Sequence, residues 1–102
     1  RTSKKYVLQE PNNFIELKQA KVTDTLMLIH YIALNSKALN AELYIIDSNG
    51  KRYDVNLIET GKVVQNGNEV IATFPLNLSN ATEKLNLHFD GDLEFELEIA
   101  PE

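Results

Sequence analysis

Apolar and polar residues alternate along this chain in short runs separated by turn-forming residues. The densest run covers residues 25–34, T-L-M-L-I-H-Y-I-A-L, with Leu26, Leu28, Ile32 and Leu34 on one alternating face and Met27, Ile29 and Tyr31 on the other. It has no helix cap and no helical stripe. A short run that is apolar on both faces and rich in β-branched and aromatic residues predicts a strand buried on both sides.

Shorter strands are expected around it. Tyr6 to Leu8 suit a short edge strand, and residues 14–22 alternate weakly, as a half-exposed strand does. Residues 35–40 form a polar stretch with room for one helical turn. Residues 41–46 and 53–58 flank Asp47-Ser48-Asn49-Gly50, and Asn-Gly between apolar runs is a strong hairpin signal. A two-residue Asn49-Gly50 loop pairs Ile46 with Tyr53 and Tyr44 with Val55 on one face, and a longer loop is the alternative. Glu59-Thr60-Gly61 and Asn66-Gly67-Asn68 are expected to bracket a short segment over 62–65, followed by a strand over 69–76 that Pro75 ends or places at an edge. The clearest alternation comes last: Leu85, Leu87 and Phe89, then Leu93, Phe95, Leu97 and Ile99, with Glu94, Glu96 and Glu98 between them. Every inward position in this pair is odd-numbered, so same-face pairing requires an odd loop, Asp90-Gly91-Asp92, with Gly91 or Asp92 left-handed. About seven to eight short strands with turns between them and no convincing helix predict an all-β fold, an antiparallel β-sandwich.

Composition narrows the picture. At 102 residues, 43% of them hydrophobic and 25% charged, the chain is expected to be one folded domain over 1–102, with the polar residues 1–5 disordered. The net charge is −5 and the ten basic residues are scattered, which excludes nucleic acid as the expected partner because phosphate binding needs clustered Lys and Arg. No apolar stretch is long enough for a membrane-spanning helix, so this segment is not expected to insert into a membrane. Absence of cysteine removes disulfides, thiolate metal sites and cysteine nucleophiles, and tilts the expectation toward export. The start at Arg1 reads as a mature or trimmed N-terminus, with any anchor lying upstream.

Candidate chemistry is thin. Asp90, Asp92 and Glu94, continued by Glu96 and Glu98, are the residues that could take a divalent cation. D-G-D-L-E does not match a calcium loop, however, and the glutamates step at about 6.6 Å along a strand, too far for one cage. The expectation there is a hairpin turn and a charged face on an edge strand, with no metal and no cofactor. His30, His88 and Met27 are ligand types suited to copper, but Met27 and His30 have opposite parity and cannot converge; a packed His30 and an exposed His88 are expected. Ser3, Ser36, Ser48 and Ser79 fall in loops or termini with no nucleophile elbow, so the chain is not expected to be an enzyme. The sequons at Asn77 and Asn80 read as chance triplets in an Asn-rich loop. What is left is a binding surface, with loops 35–40, 59–68 and 78–83 and with Tyr6, Tyr53 or Leu39 as anchors.

The segment L-Y-I-I-D-S-N-G-K-R-Y (43–53), with V-I-A-T-F-P-L (70–76) and K-L-N-L-H-F (84–89), resembles the immunoglobulin-like β-sandwich domains found outside the membrane in envelope proteins and lipoproteins of Gram-positive bacteria. The likeness covers about residues 24–99 and carries no catalytic positions. The lipobox cysteine of such lipoproteins is missing here, which leaves lipid attachment open or upstream. The resemblance implies an immunoglobulin-like sandwich and an extracytoplasmic, non-enzymatic binding or spacer module that contacts another protein or envelope component. The alternative is a sandwich that binds a divalent cation or a small ligand.

Overall fold

The computed structural model describes residues 2–8, 14–22, 26–76, 83–91 and 93–100, and the side chains of all but 2–8, 83 and 100. Among these residues there are nine strands and one short helix. The strands are β1 (Thr2–Leu8), β2 (Ile15–Val22), β3 (Met27–Ala33), β4 (Leu43–Ile46), β5 (Arg52–Asp54), β6 (Leu57–Val64), β7 (Gly67–Phe74), β8 (Glu83–Phe89) and β9 (Leu93–Ala100), and the helix is α1 (Ser36–Leu39). Every strand pairing is antiparallel, in the order β5-β4-β8-β9-β1-β2-β3-β7-β6. That order divides into two four-stranded sheets, β5-β4-β8-β9 and β2-β3-β7-β6. β1 runs along β9 but meets β2 at a single register pair, Thr2 with Lys21. The protein is an all-β sandwich, and each sheet follows the strand order of an immunoglobulin-like sandwich that carries an extra strand beside its smaller sheet.

Period-2 alternation builds the core. β3 buries Met27, Ile29, Tyr31 and Ala33, β7 buries Val70, Ala72 and Phe74, and from the other sheet come Leu43, Ile45, Leu85, Leu87, Phe89, Phe95, Leu97 and Ile99. The expectation that β3 is buried on both faces is corrected: Leu28, His30 and Ile32 are half-exposed, because only one face meets the second sheet. Tyr6 to Leu8 pair with Leu97 to Phe95 of β9 alone among the described strands, as the edge strand expected there would, and β1 reaches back to Thr2, where the sequence suggests disorder; ladder hydrogen bonds use backbone and do not need apolar side chains.

The hairpins divide. Phe89 pairs with Leu93 across Asp90-Gly91-Asp92, the odd loop that parity requires, with Asp90 (φ 56°) and Gly91 (φ 74°) both left-handed. Between β4 and β5, Ile46 pairs with Arg52 and Ile45 with Tyr53, so the loop is Ser48-Asn49-Gly50 and not two residues. The Asp47 side chain accepts from the N–H groups of Asn49 and Lys51, both at 2.9 Å, and Gly50 (φ 82°) takes the left-handed position. The Lys51 N–H, chiefly, holds the Asp47 carboxyl below the usual carboxylate range. The expected strand over 53–58 is in fact broken: β5 ends at Asp54, Val55 and Asn56 cross to the other sheet, and β6 continues through the supposed turn at 59–61. Pro75 follows the last residue of β7, as expected of a strand terminus. The turn expected over 78–83 and both sequons lie outside the described residues, apart from Glu83, which opens β8.

Tyr31 is fully buried, stands edge-on to Phe89 at 5.1 Å, and its hydroxyl has no hydrogen-bond partner among the described residues. Burial pushes its pKa up to about 12. Tyr31→Phe is therefore expected to leave the protein at least as stable at neutral pH, with a gain of about 1 kcal/mol, since an unpaired buried hydroxyl costs free energy. Above pH 10 the unfolded phenol ionises while the folded one stays protonated, so stability present below pH 10 falls as pH rises toward about 12, by up to about 1.4 kcal/mol per pH unit. Urea unfolding of both proteins at about pH 7 and about pH 11 checks this. The substitution should remove most of the alkaline loss, and an equal loss in both proteins would show that Tyr31 is not its source.

Candidate interaction surfaces

Because Leu43 and Ile45 point inward, Tyr44 and Ile46 point out from β4. Register then sets Tyr44 beside His88 and His88 beside Glu94. Tyr44 and His88 stack with centroids 4.6 Å apart and planes 4° from parallel, and the Arg52 guanidinium lies 3.9 Å from the Tyr44 centroid. Arg52 is held by Asp54 (2.8 Å) and Glu42 (3.0 Å), which raise its pKa further. His88 Nδ1 is 3.8 Å from Glu94. The result is a half-buried polar platform whose charges already have partners and which contains no serine, threonine or cysteine.

Among the described residues the acidic candidates do not converge. Asp90 Oδ1 accepts from the Glu42 N–H at 2.6 Å and ties the hairpin end to the start of β4. Glu94, Glu96 and Glu98 face His88, Asn86 and Lys84 in turn along β8, and Asp92 lies outside the described residues. No group of three or more His, Asp or Glu side chains among the described residues could hold a metal ion. Met27 is buried while His30 faces outward beside Glu69 (3.7 Å), so parity separates them as expected. The expected order of the histidines is reversed: the side chain of His88 is 16% exposed and that of His30 33%. Ser36 opens α1 and Ser48 sits in the hairpin loop, Ser3 lies in β1 with its side chain not described, and Ser79 is outside the described residues.

The anchor residues are also redistributed. Tyr53 and Leu39 are half-buried and pack on the core, and Tyr53 donates to Asp47 Oδ2 at 3.2 Å; the side chain of Tyr6 is not described. Loop 35–40 is α1, capped by Asn35, whose Oδ1 accepts from the Ala38 N–H at 2.8 Å. Stretch 59–68 is the β6–β7 hairpin, with Val64 paired to Gly67.

That hairpin holds the exposed apolar surface. Leu57 (51%), Ile58 (40%), Val63 (82%) and Ile71 (38%) are the exposed large hydrophobic residues among those described. Three of them stand on β6, which among the described strands pairs only with β7 and has its second edge open. Leu57 pairs with Thr73 and faces outward; Ile58 pairs with buried Ala72 and faces the core side. Gly61 and Lys62 together oppose Glu69, because Thr60 pairs with Val70 and Val63 with Asn68; this bulge returns Val63 to the core side and Val64 to the outer one. Ile58 and Val63 are on the core side of β6 and yet stay exposed. Sequence reasoning took 59–61 for a turn and so missed the edge; its signal was the pairing of Leu57-Ile58 with Val63-Val64 around a polar centre.

Comparison of the chain with protein-family models, curated proteins and solved structures gives no match. Among the described residues no helix is long and apolar enough to cross a membrane.

Proposed function

We propose that this chain is a non-enzymatic binding or spacer module of a bacterial cell-envelope protein, working outside the cytoplasm through protein–protein contacts. One observation carries the reading: the exposed large apolar side chains among the described residues gather on β6 and adjacent β7 instead of scattering. An open edge strand offers backbone donors and acceptors for strand addition, and its apolar side chains supply the area to bury. The absence of cysteine and the resemblance of 43–53, 70–76 and 84–89 to envelope sandwich domains support the compartment.

The test is capture from a cell-envelope extract on the immobilised chain, followed by purification of the captured protein and measurement of its affinity. Leu57→Lys and Val63→Lys should each weaken binding at least about tenfold, while Glu96→Ala on the opposite sheet leaves it unchanged. A purified partner that binds the edge variants as tightly as the native chain would sink the reading.

A further inference from the structure

We propose that two copies of this chain pair through β6, antiparallel about a two-fold axis, joining their β2-β3-β7-β6 sheets into one. The proposal rests on the reading of β6 as a contact surface and names its occupant. The residues of β6 run L-I-E-T-G-K-V-V, two apolar positions, an acid, Thr-Gly, a base and two apolar positions. Laid against itself with Glu59 opposite the bulged pair Gly61-Lys62, the strand places Leu57 opposite Val64 and Ile58 opposite Val63, and Thr60 meets its own copy at the axis. Every cross-strand position is then matched, apolar with apolar and acid with base.

The bulge makes this register physically consistent. Residues opposite each other in a ladder share a face, and in a regular strand Leu57 and Val64, an odd and an even position, would point to opposite faces. Here both point outward, and Ile58 and Val63 both point to the core side, because the bulge at 61–62 shifts the alternation by one residue. A bulge and a lysine are also devices that keep edges apart. In β6 the bulge restores matched faces, and the lysine meets a glutamate. Neither Glu59 nor Lys62 has an ion-pair partner within the chain among the described residues, so both charges are free to meet the second copy. Gly61 beside the axis lets the two backbones approach. Pairing sets Ile58 and Val63, both exposed in the single chain, against each other. An isologous contact of this kind closes on itself as a dimer.

Sedimentation equilibrium over a concentration series up to about 1 mM should show a monomer–dimer equilibrium. Glu59→Lys and Lys62→Glu should each weaken it about tenfold, since each change sets two like-charge pairs across the axis. The double exchange should return the dissociation constant to within about threefold of the native value. Both side chains are exposed, so unfolding midpoints should match the native chain and confirm intact folds. A chain that stays monomeric overturns the proposal, as does a dimer indifferent to both single exchanges or one that the double exchange fails to restore. If a monomeric chain still loses its purified envelope partner on Leu57→Lys, the contact surface stands and self-pairing alone falls.

Discussion

Phe89→Ala is expected to destabilise the protein by about 3–5 kcal/mol. Phe89 is fully buried at the end of β8 and is the shared member of three edge-to-face contacts: Tyr31 at 5.1 Å, Phe95 at 5.9 Å and Phe14 at 6.4 Å. The first reaches across to the other sheet, the second lies on β9, and the third comes from the residue before β2. Truncation removes apolar area and the ring contacts together, and it leaves a cavity whose walls belong to strands fixed by their own ladders. Domains of this size are stable by roughly 5–15 kcal/mol, so the loss is a large share of the total. Urea unfolding should show a much lower midpoint, and the melting temperature should fall by more than about 10 °C. Glu96→Ala, on the exposed face of β9, should stay within about 0.5 kcal/mol of the native chain. A Phe89→Ala loss below about 1 kcal/mol would mean that the sheets do not meet through this ring.

Much of this core could be read from alternation alone. Leu85, Leu87 and Phe89 against Leu93, Phe95, Leu97 and Ile99 settle both the buried face of β8–β9 and the odd length of its loop, because parity leaves no other same-face pairing. The β4–β5 loop takes the longer of its two possible lengths for a local reason. Asn-Gly suggests two residues, but Asp47 stands where its carboxylate can accept two backbone N–H groups, and that favours three residues with Gly50 left-handed. The break between β5 and β6 has no local mark. Val55-Asn56 contains neither glycine nor proline, and the crossing between sheets shows only once each strand has its neighbours.

The surface was less legible than the core, for the same reason. The stack of Tyr44 on His88 depends on a β4–β8 register between strands about forty residues apart, which no periodicity reports. Arg52 joins it only because the hairpin is one residue longer than Asn-Gly suggests. In β6 the apolar pairs at 57–58 and 63–64 were visible, yet Glu-Thr-Gly-Lys between them looks like a turn. The bulge keeps this stretch in the strand.

Gly67→Ala is the second large effect, expected to cost about 3 kcal/mol, at the upper end for an overpacked site. In sequence Gly67 stands in the turn-forming stretch Asn66-Gly67-Asn68. In the structure it is the first residue of β7, and only Gly50 and Gly91 are the glycines with positive φ. What Gly67 supplies is space. A Cβ there would collide with the carbonyl oxygen of Ala33 and lie 2.9 Å from its carbonyl carbon and 3.2 Å from the Leu34 Cα. All three are backbone atoms, so no side chain can rotate aside, and the end of β3 or the start of β7 must move. Gly50 is the natural comparison: its φ is +82° and a Cβ there would have nothing within 4 Å, so Gly50→Ala should cost only the left-handed penalty of about 1–2 kcal/mol. Chemical unfolding of the two variants therefore separates a steric requirement from a conformational one. Amide exchange locates it, because Gly67→Ala should loosen β6 and β7 together while leaving β8–β9 protected. If Gly50→Ala proved the costlier change, the close approach of β7 to the end of β3 would be wrong, and with it the placement of the open edge beside it.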